Sequence, residues 1–198
     1  MGKAITWAKV NQITKIDDLE FKYDSLGRRI KKGNIEFVYD SNNRLIKQGD
    51  LEFFYDHTGL AGIINGNVLY FYRKNAQGDV IALVDRSGNV VVKHVYDAWG
   101  NHKIYDNEGN EINNSSHIGV INPFRYRGYY YDEETGYFWL SSRYYSPELC
   151  RFISPDDVDY LDPSSINGLN LYAYANNNPI MYYDPSGHSA ILIGLIIG

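Results

Sequence analysis

The chain of 198 residues is notable first for what it has little of. It carries one cysteine, Cys150, which rules out an internal disulfide framework. Placed in a strand-like run, that cysteine is expected to be a small buried hydrophobe. Proline is missing from the first 122 residues; all six (Pro123, Pro147, Pro155, Pro163, Pro179, Pro185) come later. Cations thin out along the chain: residues 1–106 hold 15 Lys and Arg against 13 Asp and Glu, whereas residues 107–198 hold 4 against 11. The net charge of −5 argues against binding nucleic acid by charge, which needs a basic face. The five histidines (His57, His94, His102, His117, His188) are scattered without metal-ligand spacing, so no metal and no cofactor are expected. A basic-then-apolar signal peptide is also absent from the N-terminus.

Tyrosine is abundant instead. Aromatic residues make up 15 % of the chain, and 19 of them are Tyr. Such rings suit half-buried pleated surfaces, with the ring packed and the hydroxyl on a partner. The tyrosines also mark a repeat. Residues 21–36 read FKYDSLGRRIKKGNIE, residues 37–52 FVYDSNNRLIKQGDLE, and residues 53–68 continue as FFYDHTGLAGIINGNV. Tyr23-Asp24, Tyr39-Asp40 and Tyr55-Asp56 share one frame, and Trp7 holds the Tyr position in an earlier copy. Each unit alternates apolar and polar residues with period 2, then turns at clusters such as Ser41-Asn42-Asn43. Each is therefore about one β-hairpin, too small to bury its own face, and copies must stack side by side. The pattern predicts Phe21, Phe37 and Phe53 as a ladder on one face, with Tyr23, Tyr39 and Tyr55 beside them. Every Tyr-Asp pair reads as a packing ring followed by a turn-capping carboxylate.

After residue 122 the even period is lost. Residues 122–132 and 136–145 read as a long Tyr- and Arg-dense hairpin about the turn Glu133-Glu134-Thr135, with guanidinium groups stacking on rings. Residues 151–154 suggest a short strand. A short helix is expected around Leu169–Ala175, followed by a turn over Asn176–Pro179. The fold class is therefore all-β: an antiparallel hairpin-repeat sheet with an irregular, Pro-rich C-terminal plug containing at most short helices.

The motifs VYDAWGN (95–101), NPFRYRGYYYDEETG (122–136), SRYYSPELCRFISPDD (142–157), NLYAYANNNP (170–179) and YYDPSGH (182–188) follow one another in this order. Strung together, they resemble the RHS/YD-repeat proteins and their repeat-associated core, nearest in flavour to the wall-associated, secreted Gram-positive members. The resemblance implies a strand spiral closing into a cocoon around a C-terminal toxic effector, of which this chain would be the last shell segment. It divides the chain into repeats at 1–85, a repeat-associated core at 86–188, and an apolar start toward an effector at 189–198. It implies as partners the upstream repeats, a downstream toxin domain and an immunity protein, and a secreted or cell-surface location. The chain departs from the family's common pattern at Ser146 for Asp, Cys150 for Gly, Asp157 for Pro and His188 for Leu.

The resemblance also implies an activity: self-cleavage by two aspartates just after the DPxG-type motif. Two carboxylates in mutual reach share a proton, so that one activates water while the other polarises the carbonyl. Asp184 is one acid by this resemblance, and Asp156 or Asp162 the other. Asp156 is preferred because the strand before it fixes its position. The bond cut would be His188–Ser189. The plain alternative is that all three are ordinary turn residues. Residues 189–198, SAILIGLIIG, are too short to span a bilayer, which needs about 20 residues. They fit either the first part of a membrane segment or a strand leading to the effector. A carbohydrate-binding or adhesion module with rings along an open groove, and a non-catalytic structural fragment, are the competing functions.

Overall fold

A computed structural model describes residues 3–9, 12–160 and 169–193. Among these, twelve strands from Ile5–Lys9 to His102–Tyr105 form one sheet, each paired with its sequence neighbours. The pairing is antiparallel throughout, as two-strand hairpins require.

The Tyr-Asp pair explains why the hairpins form. The hydroxyls of Tyr23, Tyr39 and Tyr55 donate to the carbonyls of Ile13, Arg29 and Leu45, in each case 10 residues back, at 2.9, 2.8 and 2.9 Å. The aspartate that follows closes the turn. Asp40 Oδ1 accepts the N–H groups of Asn42 and Arg44 at 2.9 Å, and its Oδ2 accepts Arg44 Nε at 2.7 Å. The Arg44 backbone N–H is the main reason the Asp40 carboxyl sits below the usual carboxylate range. Asp24 and Asp97 repeat the arrangement.

Phe21, Phe37 and Phe53 are all buried. A bulge follows each, and Tyr39 and Tyr55 pack into the same core as Phe37 and Phe53, while Tyr23 joins Phe21. The expected ladder is present, divided between two adjoining clusters.

Beyond Tyr105 the chain folds back over the sheet. A single α-turn, Ile118–Ile121, lies so close to it that a Cβ on Gly119 would meet Val92 Cγ1 at 2.8 Å and Ile104 Cγ2 at 2.9 Å. A four-stranded meander follows: Tyr130–Asp132, Tyr137–Trp139, Tyr144–Ser146 and Arg151–Phe152. The hairpin is thus far shorter than expected. Residues 126–128 form a 3-10 turn instead of a strand, and Ser141 breaks the second arm at φ 65°. Phe138, Tyr145, Phe152 and Tyr174 form the meander's fully buried core, each worth about 1.5–3 kcal/mol in area removed from water.

Two further expectations are corrected. Leu169–Ala175 is not helical: the Leu171 and Tyr172 carbonyls accept from Asp156 and Phe152, and Ala173 bridges Arg151, so this backbone is used in pairing. Ala175–Asn177 make a tight left-handed turn instead, with φ of 49, 53 and 58° at successive residues. Cys150 is not a buried strand residue. It is half-buried in a turn at φ 56°, the conformation that suits the glycine commoner there, and desolvation pushes its thiol up.

A buried ion pair is among the contacts that join sheet and plug. Arg29 donates to both oxygens of Asp132, at 2.9 and 2.8 Å, with neither side chain exposed. Lys32 adds a bond to Asp132 at 3.0 Å. Rings surround the guanidinium, Trp139 nearest at 4.3 Å and Phe21 at 4.9 Å. The fold therefore presents the loops after Phe152 and after Tyr183 on a plug fixed to the sheet.

Candidate functional site

Asp156 follows the strand Arg151–Phe152, and its backbone N–H donates to the Leu171 carbonyl at 2.9 Å. Asp184 follows the strand Tyr182–Tyr183, and its N–H donates to the Tyr129 hydroxyl at 3.1 Å. Both carboxylates are buried, and both reach the same nitrogen. Arg143 Nη2 lies 2.7 Å from Asp156 Oδ2 and 3.8 Å from Asp184 Oδ2. The two acids named from the sequence are thus brought together. Asp162 lies outside the described residues.

Arg143 was read from sequence only as a ring-stacking cation. It does lie over Phe152, at 3.6 Å. Its Nε also donates to the Gly187 carbonyl and its Nη1 to the Leu171 carbonyl at 2.8 Å. Desolvation lowers its pKa, and the charges of Asp156 and Asp184 oppose that. No sequence signal set it apart from Arg125, Arg127 and Arg151, because its partners lie far along the chain.

Asp184 organises the segment that contains the expected cleavage point. Its Oδ1 accepts the N–H groups of Ser186 (3.2 Å), Gly187 (2.8 Å), His188 (3.1 Å) and Ser189 (3.3 Å). Such convergence needs the tight turn that Gly187 makes at φ 81°. A Cβ there would also meet Ser142 Oγ at 2.4 Å and the Leu140 carbonyl at 3.1 Å. Ser142 Oγ donates to the Ser186 carbonyl at 2.6 Å, docking the turn on the plug.

On the other side, His188 Nδ1 lies 2.7 Å from Asp156 Oδ1, which also accepts the Asp157 N–H at 2.9 Å. The His188 ring stacks on Tyr160, centroids 4.8 Å apart and planes within 9°. A cavity of about 80 Å³ opens among Arg143, Asp156, Asp184, His188 and Tyr160, enough to admit water. Every contact these carboxylates make here is as acceptors. Between them stands a shared cation, where sequence reasoning placed a shared proton.

The start of the apolar tail is a strand: Ile191–Leu192 pairs with Tyr182–Tyr183 and is exposed. Among the described residues no helix is long and apolar enough to cross a membrane.

Comparison with known proteins agrees with this architecture. The teneurin YD-shell family matches residues 51–180. The tRNA nuclease WapA of Bacillus subtilis (strain 168) is 44 % identical over 124 residues, covering 63 % of this chain but 5 % of that protein. Double-stranded DNA deaminase toxin A of Burkholderia cenocepacia is 30 % identical over 120 residues, 60 % of this chain and 8 % of its own length. Among solved structures, the Photorhabdus luminescens Tc holotoxin pore superposes with a TM-score of 0.66 at 20 % identity, covering 96 % of this chain and 10 % of that one. The last likeness is one of fold. Periodic hairpins, the Tyr-Asp latch and the matched residues lead to one assignment: this chain belongs to the teneurin YD-shell family and is an RHS/YD-repeat shell segment.

Proposed function

We propose that this shell segment serves a secreted or cell-surface toxin, encloses part of a downstream effector, and releases that effector by cutting its own chain between His188 and Ser189. In this reading residues 1–85 continue an upstream spiral, 86–188 are the plug that cuts, and 189–198 lead into the effector, for which an immunity protein would exist. The relatives support the shell part: a tRNA nuclease and a DNA deaminase toxin, named for different activities, share this segment as a small share of their length.

The observation that carries the cutting reading is the placement of both acids on Arg143, with the scissile amide gathered onto Asp184. Asp156 takes one proton from a water whose oxygen adds to the His188 carbonyl carbon. The bond to Ser189 then breaks. The Ser189 nitrogen takes up the proton that Asp156 removed from the water and leaves as an amine, while His188 keeps the new carboxyl group; Asp184, as acceptor of the Ser189 N–H, holds that nitrogen in place. Arg143 offsets the negative charge of the two acids and fixes the Gly187 carbonyl next to the reacting one. A glycan-stacking function finds less support. Arg28 and Arg44 already cover Tyr39 and Tyr55, at 5.1 and 4.6 Å, and Tyr126, Tyr129, Tyr145 and Tyr174 of the plug are buried in one another.

Mass spectrometry of the purified 198-residue chain tests the reading. A self-cutting chain yields residues 1–188 and the peptide 189–198. Asp184→Asn and Asp156→Asn each keep the intact mass while circular dichroism still reports a folded sheet. A folded Asp184→Asn chain that still splits after His188 refutes the mechanism, as does a wild-type chain that stays whole on prolonged incubation.

A further inference from the structure

The residue before the scissile bond does more than present its carbonyl. The geometry points to His188 as a positioning residue: its own imidazole holds Asp156 in place for the cut, so the site selects a hydrogen-bond donor at this position. The inference rests on the self-cleavage reading above and adds a requirement to it.

The donor assignment follows from Asp156's other partners. Arg143 Nη2 and the Asp157 N–H can only donate, at 2.7 Å to Oδ2 and 2.9 Å to Oδ1. Asp156 is thus an acceptor on both oxygens, and the 2.7 Å contact with His188 Nδ1 makes Nδ1 the protonated nitrogen. Tyr160 stacks on the ring and limits its rotation. The groups facing the imidazole are Asp156 from the loop after Phe152, Tyr160 from the 3-10 turn Val158–Tyr160, and, through Asp156, Arg143. Asp184 holds the His188 backbone N–H at 3.1 Å. Each acid therefore grips the residue from a different side, Asp184 by its backbone and Asp156 by its ring.

Two of the departures from the common family pattern converge on this one oxygen. The Asp157 backbone supplies an N–H that proline lacks, and His188 supplies Nδ1–H that leucine lacks. Asp156 Oδ1 is therefore held by both of these donors, the Asp157 N–H and His188 Nδ1–H.

Three substitutions in the 198-residue chain separate the donor from the ring. His188→Phe keeps the stack on Tyr160 and removes the donor. His188→Leu removes both. His188→Asn places an amide N–H near the former Nδ1 and loses the ring. Release of residues 189–198 is followed by mass spectrometry after denatured chain is refolded. A hydrogen bond to a charged group corresponds to roughly a ten- to hundredfold change in rate, so His188→Phe and His188→Leu should cut about that much more slowly. His188→Asn should recover most of the rate. If His188→Phe cuts as fast as wild type, or faster, while Asp184→Asn remains uncut, positioning by His188 is wrong and self-cleavage stands. If Asp184→Asn also cuts, the underlying reading is the one that fails. Phe and Asn variants slowed equally would likewise overturn the donor requirement and leave only a demand for the native side chain's shape.

Discussion

In the repeat half of the molecule, Tyr, Asp and Arg meet inside one hairpin; in the plug the same three residue types meet across long stretches of chain. Arg28 and Asp24 are four positions apart, and the Tyr39 latch reaches back 10. Arg29 and Asp132 are 103 apart, and Arg143 and Gly187 are 44 apart. The local set lies at the surface in turns, while the distant set is buried. Short-range contacts create a period and can be repeated indefinitely. Long-range buried ones occur once, and they fix where the plug sits and which loops meet. The candidate site joins such long-range contacts, made through Arg143, to the local turn that Asp184 closes.

The sharpest way to test this contrast is to remove one carboxylate from each set. Asp132→Ala leaves Arg29 and Lys32 buried without their shared partner, which for such pairs costs about 3–5 kcal/mol. Asp40→Ala, in a solvent-facing turn, should cost clearly less. Urea unfolding midpoints of the two variants provide the measurement. Equal losses would mean that the plug is not fastened through Arg29.

Acid tests the same boundary by another route. His94 and His102 lie on the last strands of the sheet and face the plug, His94 Nε2 toward the Gly119 carbonyl at 3.2 Å and His102 against Arg125. Desolvation first, and the Arg125 charge second, lower their pKa values to about 3 and about 4. An unfolded histidine titrates near 6.5. The unfolded chain therefore binds protons that the folded one refuses. Stability from these groups is whole above about pH 6.5 and is lost as pH falls toward 4 and then 3. At 1.36 kcal/mol per unit, the loss comes to several kcal/mol, on the order of the pair's combined displacement. His94 Nδ1 is buried without a partner, so His94→Leu should fold and flatten the acid limb of a stability–pH curve. An unchanged limb in that variant would place the acid sensitivity elsewhere.

These two kinds of contact explain what could be read in advance. The hairpins, their turns and the Phe ladder were legible because each is written within one repeat. The roles of Tyr39 and Asp40 follow from their spacing to neighbours. The plug was legible only as motifs. Nothing local says that the backbone of Leu171 and Tyr172 pairs with the loop after Arg151, so a helix was expected there. Nor does anything local distinguish Arg143 from Arg151, whose guanidinium lies over Tyr172 at 4.6 Å. Asp156 and Asp184 come from resemblance, and they meet on Arg143 across 13 and 41 positions of chain.

The smallest expected effect tests whether the repeat half is additive. Tyr39→Phe deletes only a hydroxyl, leaving the ring among Phe37 and its neighbours. What is lost is one neutral bond to the Arg29 carbonyl at 2.8 Å, worth about 1 kcal/mol. Tyr55→Phe removes the equivalent bond to Leu45 at 2.9 Å and should cost the same. The two latches close different hairpins and share no acceptor, so the double variant should lose the sum within about 0.5 kcal/mol. Tyr39 differs in one respect: its acceptor belongs to Arg29, whose side chain holds the plug. If Tyr39→Phe costs clearly more than Tyr55→Phe, the latch also steadies the buried Arg29–Asp132 pair, and the division between local and long-range contacts is crossed at that residue. Equal costs, measured by urea titration of the two single variants and the double, keep the repeats independent of the plug.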